Sequence, residues 1–167
     1  MRVLHVLPRA HGYGAERQVV ELLAGLRADD IAAGLLTVYE NGVTSSSGLP
    51  FEMLSAGRTH RGDRLFLPRL VREIRTFRPH IVHTHTHVGR YWGRAAAILA
   101  GVPHIIHTEH NPCDPRRTRL QRVADTFLNS MTERVVTFFS EQALFLSTLD
   151  GWPREKFALI PNGLAFP

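Results

Sequence analysis

The stretch from Pro79 to Asn111, PHIVHTHTHVGRYWGRAAAILAGVPHIIHTEHN, constrains the fold more than any other part of the chain. Two short β-branched runs, His80 to Thr84 and Val102 to Thr108, flank a small-residue segment from Gly89 to Ala100, the pattern of one strand-helix-strand unit. A right-handed crossover makes such strands parallel and brings the residues after each of them to one edge, where open parallel sheets bind ligands. Seven of the ten histidines, at positions 80, 83, 85, 87, 104, 107 and 110, fall in this stretch.

The rest of the chain repeats the alternation. Strands are expected at Arg2 to Leu7, Ala32 to Tyr39, Phe51 to Leu54, Arg134 to Phe139 and Phe157 to Ile160. Helical spacing of Val19, Leu22, Leu23 and Leu26 places a helix over Ala15 to Arg27; Leu67, Leu70, Val71, Ile74 and Phe77 place one over Leu65 to Phe77. Leu120, Val123, Ala124, Phe127, Leu128 and Met131 place another over Arg116 to Met131, and Ser140 is positioned to cap a further one, with Glu141 in its first turn. Asn41 to Pro50 and Gly57 to Asp63 read as loops. The fold class expected is α/β, a Rossmann-like doubly wound parallel sheet, and 167 residues suffice for one such domain.

Charge is uneven along the chain. Thirteen arginines between Arg58 and Arg122 face only Asp63, Glu73, Glu109 and Asp114, a local excess of nine, against +5 for the whole chain. The middle therefore suits an anionic partner: a membrane surface or a phosphorylated acceptor. Nucleic acid is disfavoured, because no basic strip is interleaved with aromatics. The apolar run around Ala95 to Ile106 is too short to span a bilayer, Met1 to Leu7 lacks a cleavage-site pattern, and Cys113 is the single cysteine. A cytoplasmic chain without a disulfide is expected.

Two stretches could carry chemistry. Gly12 and Gly14, between the first strand and first helix, permit positive φ and close backbone approach, and a helix start offers free N–H groups to an anion; such a pair also serves tight packing. His83, His85 and His87 alternate and would project from one side of a continued strand, where imidazoles two apart can share a metal ion. Glu109 or Asp114 could complete that site, and a metal-dependent hydrolase using His83, His85 and His110 is one reading. His80, His83 and His104 also read as structural histidines at the sheet edge. In His107 to Asn111, a neutral imidazole could orient a sugar or diphosphate without metal, with Glu109 as base or as holder of the tautomer.

Taken in register, MRVLHVLP…GYGAERQVVELLAGL, the Pro79 to Asn111 stretch, RVVTFFSEQ and FALIPNGL closely resemble the amino-terminal half of family 4 glycosyltransferases, across essentially the whole chain. The resemblance implies one half of a GT-B fold and retaining transfer from a nucleotide-sugar donor. The acceptor would be a glycan, a lipid-linked sugar or a small molecule, in polysaccharide, glycolipid or related glycoconjugate synthesis. It implies no cofactor and no catalytic metal. Gly12, Tyr13 and Gly14 match the turn facing the donor diphosphate, with Glu16 just after it, although Tyr13 separates glycines that many relatives have adjacent. His110 matches the histidine required for transfer, His85, Glu109, Asn111 and Ser140 fall at the substrate cleft, and Asn162 and Gly163 match the turn into the domain linker. Residues 161–167 would begin that linker, the donor-binding carboxyl-terminal domain would lie beyond Pro167, and the 167-residue piece would be silent alone. A peripheral position at the inner membrane face would follow from the Arg64 to Arg78 helix. A non-enzymatic anion- or nucleotide-binding domain is the remaining reading.

Overall fold

A computed structural model describes residues 1–11, 14–26, 31–40, 50–110 and 118–163. Its elements are β1 (Arg2–Leu7), α1 (Ala15–Gly25), β2 (Ala32–Tyr39), β3 (Glu52–Arg58), α2 (Phe66–Phe77) and β4 (Ile81–His85). A continuous helical stretch follows: α3 (Thr86–Val88), a π-helical turn (Gly89–Gly93) and α4 (Arg94–Ala100). Then come β5 (His104–Thr108), α5 (Arg119–Ser130), β6 (Arg134–Thr137), α6 (Ser140–Asp150), a 3-10 turn (Arg154–Lys156) and β7 (Phe157–Leu159). The strands form one parallel sheet in the order β3-β2-β1-β4-β5-β6-β7. The doubly wound expectation holds. The order reverses between β1 and β4, which opens a crevice at their carboxyl ends.

Both faces of the sheet are covered, so its inner strands are apolar on both sides. Leu4, Val6, Leu36 and Val82 face α2 and α4, whereas Leu7 and Leu35 face Val19 and Leu23 of α1. The α2 stripe is Leu70, Ile74 and Phe77, all buried, and each such side chain contributes roughly 1.5–3 kcal/mol by leaving water. Phe77 seats over Gly34, where an added Cβ would stand 2.6 Å from its ring. Arg78, left-handed at φ 53, ends the helix ahead of Pro79.

Gly89 and Gly93 let the helical stretch lie directly on β4. Added Cβ atoms would stand 3.2 and 3.0 Å from the Thr84 side chain. Each glycine is followed by a buried arginine. Arg90 donates to Asp125 at 2.9 Å and to Glu109 at 2.7 Å; Arg94 donates to Asn129 at 2.8 Å, to Thr132 at 3.2 Å and to the Arg90 carbonyl. Burial and the adjacent Arg90 lower the Arg94 pKa, against the pull of Asp125 and Glu109. Arg90 and Arg94 therefore do not belong to the basic surface counted from the sequence, and Arg58 is also buried, over the Phe66 ring.

Pairing to these arginines turns α5 inside out. Its inward residues include Asp125 and Asn129, with Leu128 its one buried apolar residue, while Leu120, Val123, Phe127 and Met131 are exposed. Most of the apolar stripe that marks this helix in the sequence thus lies outside. The helix starts later than expected, because Thr118 and Gln121 form a reciprocal capping box; Arg116 and Arg117, like Cys113, Asp114 and the 41–49 loop, lie outside the described residues. β3 runs to Arg58, so Gly57 and Arg58 are not loop: a register shift opposite Thr37 and Tyr39 bulges the strand, and Gly57 takes φ 60 there. Ser140 does not cap α6. Phe139 is the N-cap, the Ser140 hydroxyl turns to Glu141, and Gln142 Oε1 accepts the Phe138 N–H at 3.0 Å. Among the described residues no helix is long and apolar enough to cross a membrane.

Candidate functional site

The crevice predicted by the strand order is occupied by residues that follow β1, β4 and β5. Gly14 precedes α1 with φ 84, and no side chain caps this helix start. Open space surrounds a Cβ added to Gly14, so it is the positive φ that favours glycine. The first N–H groups of α1 are left for an anion. A cleft of about 560 Å³ is lined by Gly14, Glu16, Thr86, His110, Phe138 and Asn162, among others. A second hollow of about 460 Å³ adjoins it through His110, Phe138 and Asn162, and is lined further by Leu22, His83, His85, Thr108 and Gly163. Gly14, Glu16, His85 and His110 are thus gathered at one place. Gly12, Tyr13 and Asn111 lie outside the described residues.

Behind the cleft stands a chain of imidazoles. Nε2 of His110 lies 3.0 Å from Nδ1 of His85, and Nε2 of His85 lies 2.9 Å from Nδ1 of His5. His83 stacks on His85 and places its Nε2 2.7 Å from the Thr108 hydroxyl. Burial lowers the pKa of His5 and His110 to about 4 and takes His83 and His85 well below the ordinary value; neighbouring histidines lower the last two further. All four rings are neutral at pH 7. Each then carries one N–H and one lone pair.

His83 sits in the middle of the sheet, not at its edge. His80 and His104 do have structural roles: His80 Nδ1 accepts the Arg2 N–H at 2.9 Å, and His104 Nδ1 lies 2.7 Å from Glu133. His87 does not share the side of His83 and His85, because β4 stops at His85 and Thr86 turns the chain at φ 59. His87 packs on Tyr91 instead. Thr86, at the cleft wall, has a buried hydroxyl without a hydrogen-bond partner, and backbone in that region costs a non-glycine residue about 1–2 kcal/mol.

The histidines close enough to share an ion among the described residues are His5, His83 and His85, whose nitrogens lie within 4.8 Å of one another. This differs from the expected trio of His83, His85 and His110. The His5 and His85 nitrogens are 2.9 Å apart, at hydrogen-bond distance, whereas tetrahedral zinc with bonds of 2.0–2.1 Å separates its donors by about 3.3 Å. The rings as placed are partners to each other.

Glu109 is engaged inside the fold. Its carboxylate is buried against Arg90, with Nε2 of His107 3.7 Å away, and it lines neither hollow. Burial would raise its pKa, but His107 and the Arg90 charge prevail and hold it at about 2. Ser140 is exposed and also lines neither hollow. The sequence reading missed Gln142, which donates from Nε2 to the Glu109 carbonyl at 3.0 Å and so ties α6 to the end of β5 beside His110. It also missed His5, whose cross-strand partner is His83.

Residues 13–165 match the profile of Glycosyltransferase Family 4. No curated protein matches the chain in sequence. Among solved structures, HepE of Anabaena in complex with UDP is similar over 98% of this chain and 44% of its own, with TM-score 0.70 and 17% identity. A glycosyltransferase from Rickettsia africae is similar over 98% and 43%, with TM-score 0.73 and 15% identity. A UDP-GlcNAc 2-epimerase from Methanocaldococcus jannaschii is similar over 95% and 45%, with TM-score 0.65 and 13% identity. The chain spans less than half the length of these structures, and identities this low speak for the fold alone.

Proposed function

The chain belongs to glycosyltransferase family 4, and on that premise we propose that it is the amino-terminal, acceptor-binding half of a retaining transferase using a nucleotide-sugar donor. The observation that carries the reading is that Gly14 and His110 line one cleft at the point where the strand order reverses. The donor diphosphate would sit at the start of α1, held by backbone N–H groups and the positive end of the helix. His110 would hydrogen-bond the donor sugar as a neutral imidazole, since burial keeps its pKa at about 4. The UDP bound by Anabaena HepE favours a uridine nucleotide as donor.

The reading leaves the nucleotide to a second, carboxyl-terminal domain approached through residues 161–167, and expects no turnover from residues 1–167 alone. It places the protein in the cytoplasm, at the inner face of the membrane, in glycoconjugate synthesis. Titration of the chain with UDP-glucose, followed by NMR, tests it. The Gly14 amide and the His110 ring signals should shift together. Signals that stay fixed at millimolar UDP-glucose would sink the cleft assignment, and sugar transfer by this chain alone would sink the half-site assignment.

A further inference from the structure

His110 and Phe138 line both the cleft and the hollow beside it, so the placement of their rings shapes the passage between the two. The rings meet edge to face, with centroids 5.3 Å apart and planes at 61°. They leave the carboxyl ends of neighbouring strands, His110 two residues after β5 and Phe138 directly after β6. Among the described residues, backbone pairing between these strands ends with the Glu109 N–H, 3.1 Å from the Val136 carbonyl.

Beyond that point one side chain takes over. Gln142, 3% exposed in the first turn of α6, donates from Nε2 to the Glu109 carbonyl and accepts the Phe138 N–H on Oε1, each at 3.0 Å. The Glu109 carbonyl shares a peptide plane with the nitrogen of His110, so a single planar amide orients the main chain at both rings. The pairing also settles which end of the amide is which: the carbonyl needs a donor and the N–H needs an acceptor. An ionised glutamate there would lack the donor, and so would a methionine.

We propose that Gln142 is a positioning residue for sugar transfer, holding the His110 and Phe138 rings at the placement that grips the donor sugar. The role rests on the transferase reading and adds to it a residue outside both hollows. Binding groups held by a rigid supporting contact lose much of their effect when displaced by about 1 Å. The diphosphate is assigned to a different element, the start of α1, so loss of Gln142 loosens the sugar and leaves the diphosphate in place.

The experiment titrates the chain with UDP-glucose and with UDP, each followed by NMR, and compares wild type with Gln142→Met. Without ligand, the NOE between the His110 and Phe138 rings should be present in the wild type and lost in the variant. UDP-glucose affinity should fall about tenfold, the worth of one hydrogen bond to the sugar, while UDP affinity stays unchanged. Leu146→Ala is the control for stability alone, because Leu146 is 1% exposed in the core under the same helix. It should lower the melting temperature and keep both the NOE and the ratio of the two affinities. Gln142→Glu keeps the acceptor for Phe138 and loses the donor for Glu109, so it should release His110 while the Phe138 amide signal stays. That variant carries the test should Gln142→Met not unfold cooperatively.

An NOE that survives in both Gln142 variants would overturn the proposal, as would equal losses of UDP-glucose and UDP affinity, or a control that changes their ratio as much. If UDP-glucose shifts His110 alike in wild type and variants, only the role of Gln142 falls. If wild-type His110 does not respond at all, the transferase reading falls and takes this role with it.

Discussion

His85 joins His110 to His5: its Nδ1 lies 3.0 Å from Nε2 of the cleft histidine and its Nε2 lies 2.9 Å from Nδ1 of the strand histidine. A neutral imidazole has one proton to give. Both contacts can be hydrogen bonds only if all three rings are Nδ1–H or all three are Nε2–H. Whether the remaining nitrogen of His110 donates or accepts is therefore tied to His5 on β1.

Long-range proton–nitrogen NMR of the imidazoles checks this. His5, His85 and His110 should share one tautomer in the wild type, and His5→Leu should release His110 to a mixture. Finding two different tautomers among the three rings would refute the coupling. His85→Ala, which leaves two rings unpaired, should cost about 1–3 kcal/mol.

Acid should unfold the protein early. The pKa of His5, His107 and His110 is about 4 in the fold, those of His83 and His85 lie well below the ordinary 6.5, and burial is the main cause in each. A depressed folded pKa means that the unfolded chain binds protons first. The stabilisation is complete above pH 6.5 and is lost as pH falls from there toward about 4, each extra proton taken up on unfolding adding roughly 1.4 kcal/mol per pH unit to the slope. Urea unfolding at successive pH values measures it; a flat midpoint between pH 6.5 and 4 would contradict it.

The buried ion pairs hold α4 to α5, and removing one member strands the others. Asp125→Asn leaves Arg90 and Arg94 without their shared carboxylate oxygen and should cost about 3–5 kcal/mol. Chemical denaturation gives the value. A loss below about 1 kcal/mol, the range of surface pairs, would show that the network contributes little.

Two glycines make opposite forecasts. Gly93→Ala forces a methyl to within 3.0 Å of Thr84 Cγ2 and 3.3 Å of Val6 Cγ1, and should destabilise by about 1–3 kcal/mol. Gly25, in α1, has nothing within 4 Å of an added Cβ, so Gly25→Ala should stabilise by about 0.5–1 kcal/mol. Melting temperatures that move the same way in both variants would refute the close helix-to-strand contact.

Periodicity made most of this fold legible. The strand over Ala32 to Tyr39 matches its expected span to the residue, and Leu70, Ile74 and Phe77 lie in the core as their spacing requires. What stayed hidden depends on pairs. The stripe on α5 looks the same whether it faces in or out, and the choice is made by Arg90 and Arg94, 31 to 38 residues upstream of their partners on and beside it. His5 reads as one polar residue in an apolar run, and its meaning comes from β4, 80 residues away. Glu109 is next to His110 in sequence, yet successive side chains leaving a strand point to opposite sides, and its pairing with Arg90, 19 residues upstream, is invisible in the local pattern.

β2 ends at Tyr39 and so can join β1 early in synthesis, but the other flank of β1 waits. Val3 to Val6 pair with Ile81 to Thr84, so half of the chain must emerge from the ribosome before that flank closes. In the interval the nascent chain presents an apolar strand with free amides and carbonyls, a template for mispairing, and His5 titrates as an ordinary solvated imidazole. His5, the first of the linked histidines to be made, thus waits 80 residues for its partner His85, which makes this closure a step where a chaperone has much to protect.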